Sequence, residues 1–194
     1  MSSQQHTAST FVRRSPAWFL VMGLLAGALS EVIAMVVFQV PGAEVLFLSA
    51  NFSALTGLFL GPLGVLGMLL ASVAHEVVFH LGLSNVWQEP NWLLLANSGA
   101  LEITSQAPGI CACLAFRFVP SVGRSLTGVR SAAVLLTVAF VGSAVEALVG
   151  VEILSPAGHW AAFWIWTGSG VTSQMILLPP VLILARPDSR SWVL

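Results

Sequence analysis

No lysine occurs among the 194 residues, cysteine occurs twice, and charged side chains make up only 8% of the chain. Soluble domains carry about 25% charged residues, so this scarcity, with 57% apolar residues and a mean hydropathy of +0.91, excludes a soluble domain and indicates an integral membrane protein. The seven basic residues, all arginine, stand against eight acidic ones without a run of either sign. Nucleic acid is therefore not an expected partner. The absence of lysine rules out a serine–lysine nucleophile pair, and there is no HExxH and no glycine loop of the phosphate-cradling kind. No enzymatic activity is expected, and no cofactor. Cys111 and Cys113, two apart on one apolar run, point in different directions and build no zinc site alone. They read as small buried residues.

A polar start ending in Arg13-Arg14 ahead of an apolar run invites a signal-peptide or twin-arginine reading. The run is too long for an h-region and no small-x-small site closes it, so it reads as a retained first span.

What the chain has in abundance is apolar runs of about twenty residues, the length that crosses a bilayer at about 1.5 Å per residue. Six can be placed, at roughly Ala17 to Val40, Ala43 to Leu60, Pro62 to Leu83, Asn91 to Phe116, Arg130 to Ile153 and Gly158 to Leu184. With an inside N-terminus, Arg13, Arg14, Arg117, Arg124, Arg130, Arg186 and Arg190 all fall on the cytoplasmic side, as the positive-inside rule requires. Glu44, Glu89, Glu152 and His159 fall outside, with Trp87, Trp92 and Trp160 at interfacial depth. Five or seven spans would scatter the arginines. The expected architecture is all-α, a six-transmembrane-helix bundle over residues 17–186. Cytoplasmic tails occupy 1–16 and 187–194, and the protein sits multi-pass in the cell inner (plasma) membrane among its lipids.

Four glutamates interrupt these spans: Glu31, Glu76, Glu102 and Glu146, one each in the first, third, fourth and fifth. Counted by helix rise, Glu31, Glu76 and Glu146 lie about 20 to 24 Å from the cytoplasmic ends and Glu102 about 15 Å from the outer end. All four fall between the midplane and the outer third. An ionisable group at that depth is costly and is read as bundle-facing and functional. The competing reading is a set of protonated structural links between helices. Four acids at one level favour a site for a small solute, cationic or neutral.

His80 stands at i+4 from Glu76 and shares its face, whereas His75 points about 100° away and reads as structural. With no histidine- or cysteine-rich tract, Glu76 and His80 are not assigned a metal. Trp164 and Trp166 are the candidate aromatic contacts for a cation, with Trp164 taken as the ligand contact. The expected solute-binding residues are Glu31, Glu76, His80, Glu102, Glu146 and Trp164.

The first span also carries small residues at Ala26, Ser30 and Ala34, beside a stripe of Gly23 and Gly27. Such seams let helices approach closely, either within the chain or against a separate membrane subunit.

The glycine–proline run Gly57-Leu58-Phe59-Leu60-Gly61-Pro62-Leu63-Gly64-Val65-Leu66-Gly67, the six spans and the seam at Ala26, Ser30 and Ala34 resemble the substrate-binding S component of energy-coupling factor vitamin transporters. The resemblance implies a solute site toward the outer side, and docking of the seam on a transmembrane coupling subunit that works with ATPases. In that family the seam carries alanines, and Ser30 departs from it. The run Leu95-Ala96-Asn97-Ser98-Gly99-Ala100-Leu101-Glu102 and the stretch from Phe163-Trp164-Ile165-Trp166-Thr167-Gly168 up to Leu178-Pro179 are similar instead to membrane-associated sensor domains of bacterial kinases and cyclic-dinucleotide enzymes. That resemblance implies a ligand-sensing domain signalling to a kinase or cyclase.

Overall fold

The computed structural model describes residues 15–37, 48–80, 92–119, 129–154 and 159–185. They form six helices: α1 (Pro16–Val37), α2 (Leu48–His80), α3 (Trp92–Ser105), α4 (Ala107–Phe118), α5 (Val129–Leu154) and α6 (His159–Ala185). Among the described residues there is no strand. Three stretches, Pro16–Ala34, Ala50–Val78 and Ala132–Glu152, are long and apolar enough to cross a bilayer. The chain is thus a helical membrane protein.

Local chemistry sets the ends and breaks of these helices. Ser15 caps α1, its carbonyl and hydroxyl oxygens accepting from the Trp18 N–H at 2.9 and 3.3 Å, with Pro16 at the first helical position. α2 is not one rod. Gly61 adopts φ 71° and ψ −163°, a conformation that side chains disfavour. The Thr56 hydroxyl donates to the Met68 sulfur at 3.6 Å, although twelve residues of straight helix would separate them by about 18 Å. The chain therefore turns back at Gly61 into two arms, 48–60 and 62–80. Pro62 opens the second arm, where its missing N–H costs no intrahelical bond. The spans expected at Ala43 to Leu60 and Pro62 to Leu83 meet at this turn, and residues 43–47 and 81–83 lie outside the described residues.

The span expected as a single helix from Asn91 to Phe116 is instead divided at Gln106. Pro108 has no N–H to give, and in a continuous helix its ring would strike the carbonyl four residues earlier. The Gln106 N–H turns to the Ile103 carbonyl at 3.3 Å, and α4 restarts with the Ile110 N–H on the Gln106 carbonyl at 3.0 Å.

Contact registers give the relative directions of the helices. Gly23 of α1 abuts the Gly64 carbonyl, a Cβ on Gly27 would stand 2.8 Å from the Met68 carbonyl, and Glu31 meets Ser72. The numbers rise together, so α1 runs parallel to the second arm of α2. Ser53 accepts the Gly109 N–H at 3.1 Å, and the Cys113 thiol donates to the Gly57 carbonyl at 3.5 Å, so α4 runs parallel to the first arm. Between α5 and α6 the order inverts: Ser143 accepts from the Gln174 amide at 3.0 Å, while Gly150 faces the Trp166 ring. These two are antiparallel. The apolar core lies between the first arm of α2, α4, α5 and α6, around Ala54, Leu58, Ala112, Leu135, Val138 and Leu178.

Candidate acid cluster

The parallel packing of α1 on the second arm of α2 rests on glycines. Gly23 and Gly27 face Gly64, Gly67, Met68 and Ala71 closely enough that backbones touch. The same stripe continues to Ser30, only 1% exposed, and then to Glu31. At that level the Ser72 hydroxyl donates to Glu31 Oε1 at 2.8 Å, and His75 Nδ1 stands 3.5 Å from Glu31 Oε2. Ser72, His75 and Glu76, at i, i+3 and i+4, present one helical face toward this point.

Glu102 of α3 joins from the other side. It lies close enough to feel the charges of Glu31 and Glu76. Glu146 of α5, 5% exposed, feels the charge of Glu102 in turn. Four carboxyl groups from four helices therefore form one electrostatically linked set. Among the residues 31, 76, 102 and 146 singled out from the sequence, Glu102 lies within electrostatic range of the other three. In a medium of low dielectric such a set repels itself strongly when ionised. His75 is the single described base beside it, since Arg117 is exposed and the side chains of the other arginines lie outside the described residues. A bound cation or retained protons must supply the remaining balance.

Other expected residues fall elsewhere. Trp164 is 57% exposed on α6 and packs edge-on to Phe163, ring centroids 5.1 Å apart. The aromatic ring on the inner side is Trp166, two residues on and about 200° round the helix, which covers Gly150 on α5. The His80 side chain lies outside the described residues. Of the expected partner seam, Ser30 is buried against this chain and Ala26 and Ala34 are half-buried at its edge, while Val21, Leu25, Leu29 and Val32 form the outward face of α1. Ser72 and His75 were not selected from the sequence. The four-residue spacing from Glu76 would have found Ser72, which shares its face, whereas His75, one residue before Glu76, is picked out only by the approach of Glu31.

A second polar layer adjoins the cluster. Asn51 donates to the Ser173 hydroxyl at 2.5 Å and Gln174 to Ser143, tying α6 to the first arm of α2 and to α5. Among the described residues no group of three or more histidine, cysteine, aspartate or glutamate side chains could hold a metal ion. Comparison of the chain with protein families, with curated proteins and with solved structures finds no match.

Proposed function

We propose that the protein is a multi-pass binding subunit of the cell inner (plasma) membrane. It holds a small cationic solute between its helices and passes it inward with a separate energising complex of a transmembrane coupling subunit and ATPases. The observation that carries this reading is the convergence of Glu31, Glu76, Glu102 and Glu146 from four helices. One buried acid can be a structural link, but four acids linked through Glu102, with His75 the one described base beside them, form a place that attracts positive charge.

The helix directions support a six-span bundle. α1 and the second arm of α2 run one way, the first arm and α4 share a direction opposite to the second arm, and α5 opposes α6. Alternating passes give that order, with both termini cytoplasmic. The outward apolar face of α1, bordered by Ala26 and Ala34, is the surface for the coupling subunit.

The test is purification in mild detergent followed by native mass spectrometry, with wild type beside Glu76→Gln and Glu102→Gln. The expected result is a retained small cation in wild type, lost in both variants at unchanged helicity, and an ATPase module in the cross-linked complex. Equal retention in both variants rejects the site. Capture of a kinase or cyclase, with no uptake by whole cells, replaces transport by sensing.

A further inference from the structure

The inner end of the acid cluster has features that a general cation site does not need. Gln106, at the break between α3 and α4, is 2% exposed. Its orientation is fixed by its neighbours: the Ser105 hydroxyl donates to the Glu102 carbonyl at 2.8 Å, so it must accept from Gln106, and the Gln106 Nε2 donates to it at 3.0 Å. The other amide atom, Oε1, is then an acceptor, buried and without a hydrogen-bond partner among the described residues. Leaving such a group unsatisfied costs about 1–3 kcal/mol.

The register places this oxygen. A Cβ on Gly142 would come 2.6 Å from the Pro108 Cα, and Glu102 is in the field of Glu146 one turn further along α5. Gln106, between Glu102 and Pro108 in the chain, falls by register beside the turn of α5 between Gly142 and Glu146. From α6, Thr167 belongs to the stripe whose Gly170 and Gln174 meet Ser143, and it too is fully buried with an unpartnered hydroxyl. The Trp166 ring covers Gly150, one turn beyond Glu146, and sets an apolar surface there.

Building on the cation-site reading above, we infer that Glu102, Glu146, Gln106 Oε1 and Thr167 form a subsite for a protonated alkylamine, its N–H donors on these oxygens and its carbon chain along Trp166. The oxygens offered are acceptors, and the hydroxyl can act as one. A quaternary ammonium ion brings charge but no donor, so it leaves Gln106 Oε1 unsatisfied. An ammonium group with N–H bonds satisfies both charge and geometry.

The experiment uses the full chain in lipid nanodiscs, with n-butylammonium, tetramethylammonium and calcium as probes, read by thermal unfolding and tryptophan fluorescence. n-Butylammonium is expected to raise the unfolding midpoint, with tetramethylammonium and calcium giving smaller shifts. Gln106→Leu is expected to weaken n-butylammonium about tenfold or more, while the unliganded midpoint stays level or rises, because an unsatisfied acceptor has been removed. Thr167→Val serves as the second variant should Gln106→Leu fail to fold.

Equal protection by tetramethylammonium, lost in Glu102→Gln, overturns the amine subsite and leaves the general cation site standing. Wild-type n-butylammonium affinity in both Gln106→Leu and Thr167→Val also overturns it. No protection by any probe, together with no retained cation in the purified protein, ends both readings.

Discussion

His75 and Glu31 face each other across the seam between the second arm of α2 and α1, Nδ1 to Oε2 at 3.5 Å, while Ser72 from one turn earlier holds the other carboxylate oxygen. Glu31 is thus the member of the cluster with its own base and its own donor. A double-mutant cycle with Glu31→Gln and His75→Gln should return a coupling of about 1 kcal/mol or more in detergent unfolding, since the two share one network. Additive effects would show that the pair is not formed.

The glycine seam makes a prediction of opposite sense at different positions. A methyl on Gly23 or Gly57 would collide with the backbone of Gly64 or Gly109, whereas one on Gly99 or Gly168 meets nothing within 4 Å. Gly23→Ala and Gly57→Ala should each cost about 1–3 kcal/mol through overpacking. Gly99→Ala and Gly168→Ala should be neutral or mildly stabilising. Chemical unfolding of the four single variants, side by side, checks the ranking.

The Asn51 to Ser173 bond joins α6 to the first arm of α2 in the buried layer. Hydrogen bonds between membrane helices average about 0.6 kcal/mol and reach about 1.7. Ser173→Ala should fall within that range, and a larger loss would mean that the bond anchors more than its own pair.

The reversal at Gly61 can be tested by distance alone. In a background with Cys111 and Cys113 replaced, cysteines introduced by Thr56→Cys and Met68→Cys should be joined by a short bifunctional crosslinker. A straight helix would hold them about 18 Å apart and leave them unlinked.

An expected level for the four glutamates was legible in the sequence, because helix rise is fixed. Rotation about each axis was not, and that is where the expectations and the structure part. His75 was set aside for pointing 100° from Glu76, yet α1 brings Glu31 to it. Trp164 was preferred to Trp166 although the two occupy opposite faces, and only the packing of α6 on α5 says which face is inside. The break at Gln106 follows from Pro108, but a proline in a membrane helix can kink or interrupt, and the choice depends on whether a neighbour accepts the freed groups. Here Ser53 takes the Gly109 N–H, a contact between residues 56 positions apart that local pattern does not contain.

The turn at Gly61 has a consequence for how the chain is threaded into its bilayer. Without a left-handed glycine, residues 48–80 form one uninterrupted rod of about 50 Å, well beyond an apolar slab of about 30 Å. In the six-span bundle proposed above, it would pass through once where the two arms go over and back. Every segment after it would emerge on the wrong side, carrying Glu102 and Glu146 away from Glu31. In that proposed bundle a single achiral residue, by permitting a fold-back, sets the parity of the insertion.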